Sequence, residues 1–262
     1  ADRDLLSRRY DVVAANPPYM GSGNMGPMLK KYVEINYSEG KGDLYASFII
    51  RNMGLVKKFG KISMITQQSW MFQKSYLSLR FKAENPKNYK NSRFEGILNK
   101  SKIETIAHLG PRAFSEISGE IVNTVLFCLS NEIPHPKNYL VSFKINREDN
   151  PASKKALLID LIKNSGQNKF IGRQSDFCSL PEKTLPYWVP KEFIELMGDT
   201  EQLSKFCYLA EPSTTGNNEH FFRFVWELSI NNRWKLASKG GGHSRWYGLN
   251  YYLLDWETDG KR

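Results

Sequence analysis

Asn16-Pro17-Pro18-Tyr19, directly after the apolar run Tyr10-Asp11-Val12-Val13-Ala14-Ala15, is the stretch of this chain best equipped for chemistry. Asn16 brings a side-chain carbonyl oxygen, and the Pro17 main-chain carbonyl is a second acceptor beside it. Proline fixes φ and has no N–H, so Pro17-Pro18 stiffens the turn and cannot satisfy those acceptors locally. Tyr19 adds a flat face on which a planar group can stack. Two acceptors and a ring describe a pocket for a planar –NH2 group. Drawing both N–H hydrogens toward acceptors favours a pyramidal nitrogen with an available lone pair. Such chemistry rests on positioning and needs no strong base.

The elements that must hold this elbow alternate. Residues 10–15, apolar without alternation, predict a buried strand. Pro27 suits the first turn of a helix to about Asn36. Asp43 predicts the N-cap of a second helix with Phe48, Ile49, Met53 and Val56 on its apolar face. Gly60 predicts that helix's stop, Lys61–Thr66 the next strand, and Ser69 the cap of a helix to about Lys82. Alternating strand and helix imply an α/β fold with a parallel, doubly wound sheet. Ile103–Leu109, Ile121–Leu129 and Tyr139–Ile145 complete it, the last two as a hairpin joined at Pro134-His135-Pro136. Residues 80–102 hold seven Lys/Arg against two acids and read as a solvated insertion.

Hydrophobic content of 40% and charged content of 24% are ordinary for a globular chain, and the length suits one or two domains. A net charge of +10 favours a polyanionic partner. Cys128, Cys178 and Cys207 are odd in number and far apart, which predicts reduced, buried thiols in a cytosolic protein. His108, His135, His220 and His243 have no ligand spacing, so no metal is expected. No apolar run approaches the roughly 20 residues of a membrane span, and the charged N-terminal residues lack a signal-peptide core.

Gly21-Ser22-Gly23-Asn24-Met25-Gly26 matches G-x-G-x-x-G ahead of a helix. That fingerprint needs its first glycine in the turn straight after the strand, a place filled here by Asn16–Met20. A mobile active-site loop is the better expectation. Between Phe221 and Trp256 fall ten aromatics, with four of the six tryptophans, and Arg223, Arg233, Lys235, Lys239 and Arg245 among them. The alternation in Phe221–Leu228 and the run Tyr251–Trp256 predict β-structure. Lys239-Gly240-Gly241-Gly242-His243 reads either as a phosphate-approaching backbone or as a flexible turn. Arg245-Trp246-Tyr247 reads either as a cationic stacking surface or as aromatic core.

An Asn-Pro-Pro-Tyr motif after a hydrophobic strand resembles that of the S-adenosylmethionine-dependent amino-methyltransferases, above all the DNA adenine-N6 enzymes. The segments Gly42–Ile49, Gly60–Thr66, Ser69-Trp70, Ala113-Phe114 and Gly119–Phe127 resemble successive elements of the gamma-type subgroup. As a whole the chain is most similar to the phage-defence methyltransferases of BREX systems, strongly over about residues 10–130. The motif itself is shared with enzymes that methylate guanine N2 in RNA or the glutamine amide of release factors.

The resemblance implies the C-terminal half of a Rossmann-like methyltransferase sheet over 1–146, a helical linker over 147–205 and the start of a target-recognition domain over 206–262. It implies that Asn16, Pro17, Pro18 and Tyr19 are catalytic, and that the lone pair of adenine N6 attacks the sulfonium methyl in line. Asn16 and Asp43 would border S-adenosylmethionine; Asp43 is most simply a helix cap. Tyr19, Tyr45, Phe114, Lys239, Arg245, Trp246 and Tyr247 would face the target, although core packing competes at Tyr45 and Phe114. The partner implied is double-stranded DNA with a flipped adenine, with other phage-defence proteins beside it and no membrane. In the gamma-type order the glycine-rich cofactor motif precedes the catalytic one, so it is expected upstream of this chain. The isolated piece is then expected to be inactive, and a non-catalytic DNA-binding segment is the rival reading. An RNA or protein-amide methyltransferase is a further alternative.

Overall fold

The computed structural model describes residues 2–82, 94–114, 122–201, 203–208, 215–239, 242–246 and 248–257. The chain divides into two compact units, Ala1–Thr200 and Glu201–Arg262.

In the first unit the elements run α1 (Asp2–Ser7), β1 (Tyr10–Ala15), α2 (Pro27–Asn36), α3 (Leu44–Leu55) and β2 (Val56–Gln67). There follow α4 (Leu77–Arg80), α5 (Ile97–Lys100), β3 (Lys102–Gly110), β4 (Thr124–Ser130), β5 (Tyr139–Lys144), α6 (Pro151–Lys163), β6 (Lys169–Arg173) and α7 (Lys191–Asp199). Six strands form one sheet in the order β1-β2-β4-β3-β5-β6. β1 and β2 are parallel, as are β3 and β5, whereas β4 runs antiparallel between β2 and β3 and β6 antiparallel to β5. The architecture is α/β, as expected, with four of six strands co-directional and β4 and β6 antiparallel to them.

Local signals act as expected where they are self-contained. Pro27 opens α2, which ends at Asn36. The Asp43 side chain caps α3 by accepting from the Tyr45 N–H. Ile49 and Val56 are buried and Phe48 and Met53 pack against the same core. α3 stops at Leu55, and β2 begins at once, so Gly60 lies inside the strand.

Other expectations are corrected. β4 and β5 are not a hairpin: β4 fills the gap between β2 and β3, and β5 pairs with β3 on the far side. Residues 69–82 do not make one helix. Two 3-10 turns, Gln68–Met71 and Lys74–Tyr76, precede the single turn α4. The reason is that Arg80 takes main-chain carbonyls of Trp70 and Gln73, which an unbroken helix would keep for itself.

The segment 80–102 is not simply a solvated insertion, since Arg80, Ile97, Leu98 and Ser101 are buried; residues 83–93 lie outside the described residues. Residues 147–200 add β6 to the sheet and fold with the first unit, so they do not form a separate linker. β1 is an edge strand among the described residues, with Val12 63% exposed, where a buried strand was expected. Cys207 is exposed, and Cys128 and Cys178 are half-buried.

One face of the sheet carries the main core, with Ile62, Met64, Ile106, Val125 and Phe127 under α3, Trp70 and Leu185. Trp70 meets Phe127 edge-on at 5.1 Å and its indole N–H donates to Thr66 Oγ1 at 3.2 Å. The other face is closed by α6 through Leu161 against Ala107, Phe143 and Ile145. Gly110 ends β3 at φ +69°, and a Cβ there would lie 2.5 Å from Asn146 Cβ, so a side chain is excluded on both counts.

The second unit contains α8 (Asn218–Phe221) and a three-stranded antiparallel sheet of β7 (Phe222–Phe224), β9 (Tyr252–Asp255) and β8 (Trp234–Ala237), in that order. Phe221–Leu228 is thus strand only over three residues, because Asn217 caps a helical turn just before it. Asp255, buried, accepts from Arg233 Nε and Nη2 at 3.1 and 2.9 Å and ties β9 to the start of β8. No helix among the described residues is long and apolar enough to cross a membrane.

Candidate active site

Asn16 sits where β1 ends. The register Ala15↔Met64 brings it alongside the middle of β2, whose strand runs on to Gln67. Gln67 and Gly110 both pair with Thr124, so the ends of β1, β2 and β3 and the start of β4 share one sheet edge. That edge, at the carboxyl ends of the co-directional strands, is where open α/β sheets bind ligands. Asn16 is exposed there, Pro17 is buried beneath it, Pro18 is exposed and Tyr19 is half-buried.

Tyr19 leans on the core. Its ring meets Tyr45 edge-on, with centroids 6.0 Å apart and planes at 81°. Burial, and secondarily the negative charge of Asp43, push the Tyr19 hydroxyl up to about 12. Tyr45 is fully buried and tilts against Tyr76 at 6.0 Å; burial raises its hydroxyl strongly too. Both tyrosines stay neutral at any physiological pH.

The stretch after the elbow is pinned. Asp43 Oδ1 accepts from the N–H of Met20 at 2.9 Å as well as from that of Tyr45 at 3.3 Å. Leu44 N–H donates to Met20 O at 3.0 Å, Ser22 N–H to Gly42 O at 3.0 Å, and Gly21 bridges antiparallel to Asp43. Burial raises the Asp43 carboxyl above its ordinary value, against the pull of those N–H donors. The expected mobile loop is therefore anchored at its first two residues. At Gly23 and Gly26 a Cβ would meet nothing within 4 Å, so close packing within the chain does not require glycine there.

The sheet edge also holds residues that sequence reasoning missed. Gln68 follows β2 and has a buried side-chain oxygen without a hydrogen-bond partner among the described residues. Its signal was a polar run, Gln67-Gln68-Ser69, where a strand ends. His108, near the end of β3, is buried with its Nδ1 3.0 Å from the Tyr187 hydroxyl. Phe72 and Trp188 tilt over the same imidazole at 6.4 Å each. No spacing announces that box, since its members lie up to 116 positions apart.

Burial first, then the charges of Lys144 and Lys154, lower the His108 pKa to about 4, so the ring is neutral near pH 7. A base with a folded pKa below its unfolded value favours folding above the unfolded value. Stability from this site is thus complete above about pH 6.5 and drains away as pH falls toward 4. Acid titration of the thermal midpoint is expected to show this loss, and His108→Phe is expected to flatten the curve between pH 6.5 and 4. An unaltered slope in the variant rules the assignment out.

Phe114 is half-buried just beyond β3. In the second unit Lys239 Nζ stands 5.1 Å from the ring centroids of both Phe222 and Tyr252. Arg245 lies 5.2 Å from the Trp246 ring, which is 87% exposed, so Trp246 is not core. Tyr247, Gly240 and Gly241 lie outside the described residues. The region 206–262 carries seven Lys/Arg against six Asp/Glu, so the basic excess resides mainly elsewhere in the chain.

The class that the fold defines is an open α/β sheet with an amide-bearing proline elbow at a strand's carboxyl end. Residues 4–114 match the family model described as Eco57I restriction-modification methylase. Over 98% of its length the chain is 30% identical to the adenine-specific methyltransferase PglX of Lacticaseibacillus casei (strain Zhang) and 32% identical to the adenine-specific methyltransferase BrxX of Escherichia coli O9:H4 (strain HS). It spans about a fifth of those relatives, 21% and 20% of their lengths. Similar solved structures include an assembly of a type I restriction-modification system (TM-score 0.44, 15% identity, 72% of this chain and 39% of that one). Another is the Type ISP restriction-modification enzyme LlaBIII bound to DNA (TM-score 0.42, 14% identity, 61% and 12%).

Proposed function

We propose that this chain is the target-amine side of an S-adenosylmethionine-dependent DNA adenine-N6 methyltransferase of bacterial modification or phage defence. The observation that carries the reading is the exposed Asn16 amide, held on a two-proline elbow at the carboxyl edge of the sheet. Asn16 Oδ1 and the Pro17 carbonyl accept the two N6 hydrogens and hold the nitrogen lone pair toward the methyl donor. The amine is weakly basic, so orientation and removal from water supply the catalysis. Adenine N6 is inaccessible within a duplex, so the base must be extruded to reach Asn16. Tyr19 and Phe114 line the target side of this reading, and Tyr45, fully buried, backs the Tyr19 ring. Lys239, Arg245, Trp246 and Tyr247 serve the DNA side, where a cation beside an exposed ring suits unstacked bases.

S-adenosylmethionine, when bound, supplies an electrophilic methyl group. The described residues fit the acceptor amine and not the grip on that cofactor. The turn after β1 has no glycine, and Gly21 is engaged with Asp43. β1 is an open edge among the described residues, consistent with further sheet supplied by other parts of the complete protein.

The test is substrate competition with the longest native polypeptide that contains residues 1–262. Methyl transfer to duplex DNA, read as N6-methyladenine, is expected to exceed transfer to RNA or to a release-factor peptide by more than about tenfold, the discrimination given by roughly 1.4 kcal/mol. Preference for RNA or peptide refutes the DNA assignment.

A further inference from the structure

We infer that Asp43 is the positioning residue of the catalytic elbow, not a ligand of the cofactor. This rests on the reaction proposed above. Residues 16–19 have no strand partner of their own, so their geometry is set by what holds the two ends. The entry is held by β1 on β2, with Ala15 opposite Met64. The exit is held by main-chain bonds, Leu44 N–H to Met20 O and Ser22 N–H to Gly42 O at 3.0 Å each, and by the Asp43 side chain, whose Oδ1 takes the Met20 N–H itself at 2.9 Å across 23 residues of sequence.

Capping α3 does not require that contact, because Ser, Asn or Gly caps a helix comparably well. What the carboxylate adds is reach. The same oxygen takes Tyr45 N–H, and Tyr45 supports the Tyr19 ring, so one side chain sets both the start of α3 and the end of the elbow. Asp43 is 8% exposed and its engaged oxygen faces main-chain donors, which leaves it poorly placed to grip a mobile ligand.

Asp43→Ser separates the two tasks, since serine caps the helix and falls short of Met20. Hydrogen exchange on residues 1–262 is expected to speed up at Met20 while Ala46–Ile50 in α3 stay protected. In the native polypeptide kcat is expected to fall about 10–100-fold, the cost of a displacement near 1 Å. Kd values for S-adenosylmethionine and duplex DNA are expected to stay within about twofold. Asp43→Asn, which keeps the accepting oxygen, restores most of kcat. If Asp43→Ser fails to fold, Asp43→Gly repeats the measurement with another accepted cap.

Unchanged Met20 exchange with unchanged kcat overturns the inference, and so does a loss of cofactor affinity as large as the loss of rate. Failure of the reaction itself is a separate outcome: it shows as no methyl transfer by the unsubstituted protein, while the exchange measurement still reports on Asp43.

Discussion

Asn16→Ala is expected to lower adenine-N6 methyl transfer by ~10²–10³-fold or more, the scale seen when one preorganised hydrogen-bonding group at a reacting centre is lost. The affinity for duplex DNA should barely move, because in the proposed reaction Asn16 meets only the extruded base and phosphate contacts dominate binding. Asn16 is exposed at the end of an edge strand, so the substitution leaves no cavity and no buried donor. The unfolding free energy should therefore shift by no more than the roughly ±0.5 kcal/mol usual for surface changes. Asn16→Asp keeps an acceptor oxygen and belongs between alanine and the native residue in rate. Single-turnover methylation beside fluorescence-anisotropy binding separates these quantities. Full retention of N6-methyladenine formation in Asn16→Ala would falsify the proposed mechanism.

Arg80→Met is expected to have the largest effect on stability, a loss of roughly 3–5 kcal/mol. Arg80 is fully buried and binds three carbonyls: Trp70 O at 2.6 Å, Gln73 O at 2.9 Å, and Glu182 O at 3.2 and 2.8 Å through Nε and Nη2. Burial lowers its pKa to about 10, which keeps the guanidinium charged near neutral pH. Methionine fills the space of the aliphatic stem and removes every donor, so the Trp70 and Glu182 carbonyls lose this partner and Gln73 O keeps only the Tyr76 N–H. In a domain of this size each kcal/mol is about 2–4 °C, so the midpoint should fall by roughly 6–20 °C. Arg80→Lys should recover only part of this, since one ammonium cannot span the fork of four contacts. Chemical denaturation reads the difference, and a loss below about 1 kcal/mol would show that the network is incidental. Glu182 and Lys183 sit at φ 54° and 53°, a left-handed pair that the Arg80 contact holds in place.

Asn16-Pro17-Pro18-Tyr19, Pro27 at the head of α2 and Asp43 at the head of α3 were legible as a string. Each works through its own stereochemistry or through partners two or three residues away: a fixed φ, a missing N–H, an oxygen at a helix start. The strands of β-branched and apolar residues were legible for the same reason. Their order was not. That β4 enters between β2 and β3 instead of turning back on β5 depends on Thr124–Ser130 pairing with residues about 20 and 60 positions earlier. No local period encodes that choice.

Arg80 shows the limit most plainly. In a stretch of seven basic residues it looks solvated, and composition cannot tell it from Lys82 or Lys100. Only the folded chain brings the Glu182 carbonyl, 102 residues away, to its guanidinium. Asp43 shows both sides at once. Its cap on α3 could be read from the sequence, because the partner is Tyr45. Its hold on Met20 could not, because that bond exists only after β1 and α3 are brought together. The amide that can orient a planar amine was determined by the sequence alone. Where that amide points was decided by the tertiary structure, because the elbow has no partners of its own and takes its geometry from the elements at its two ends.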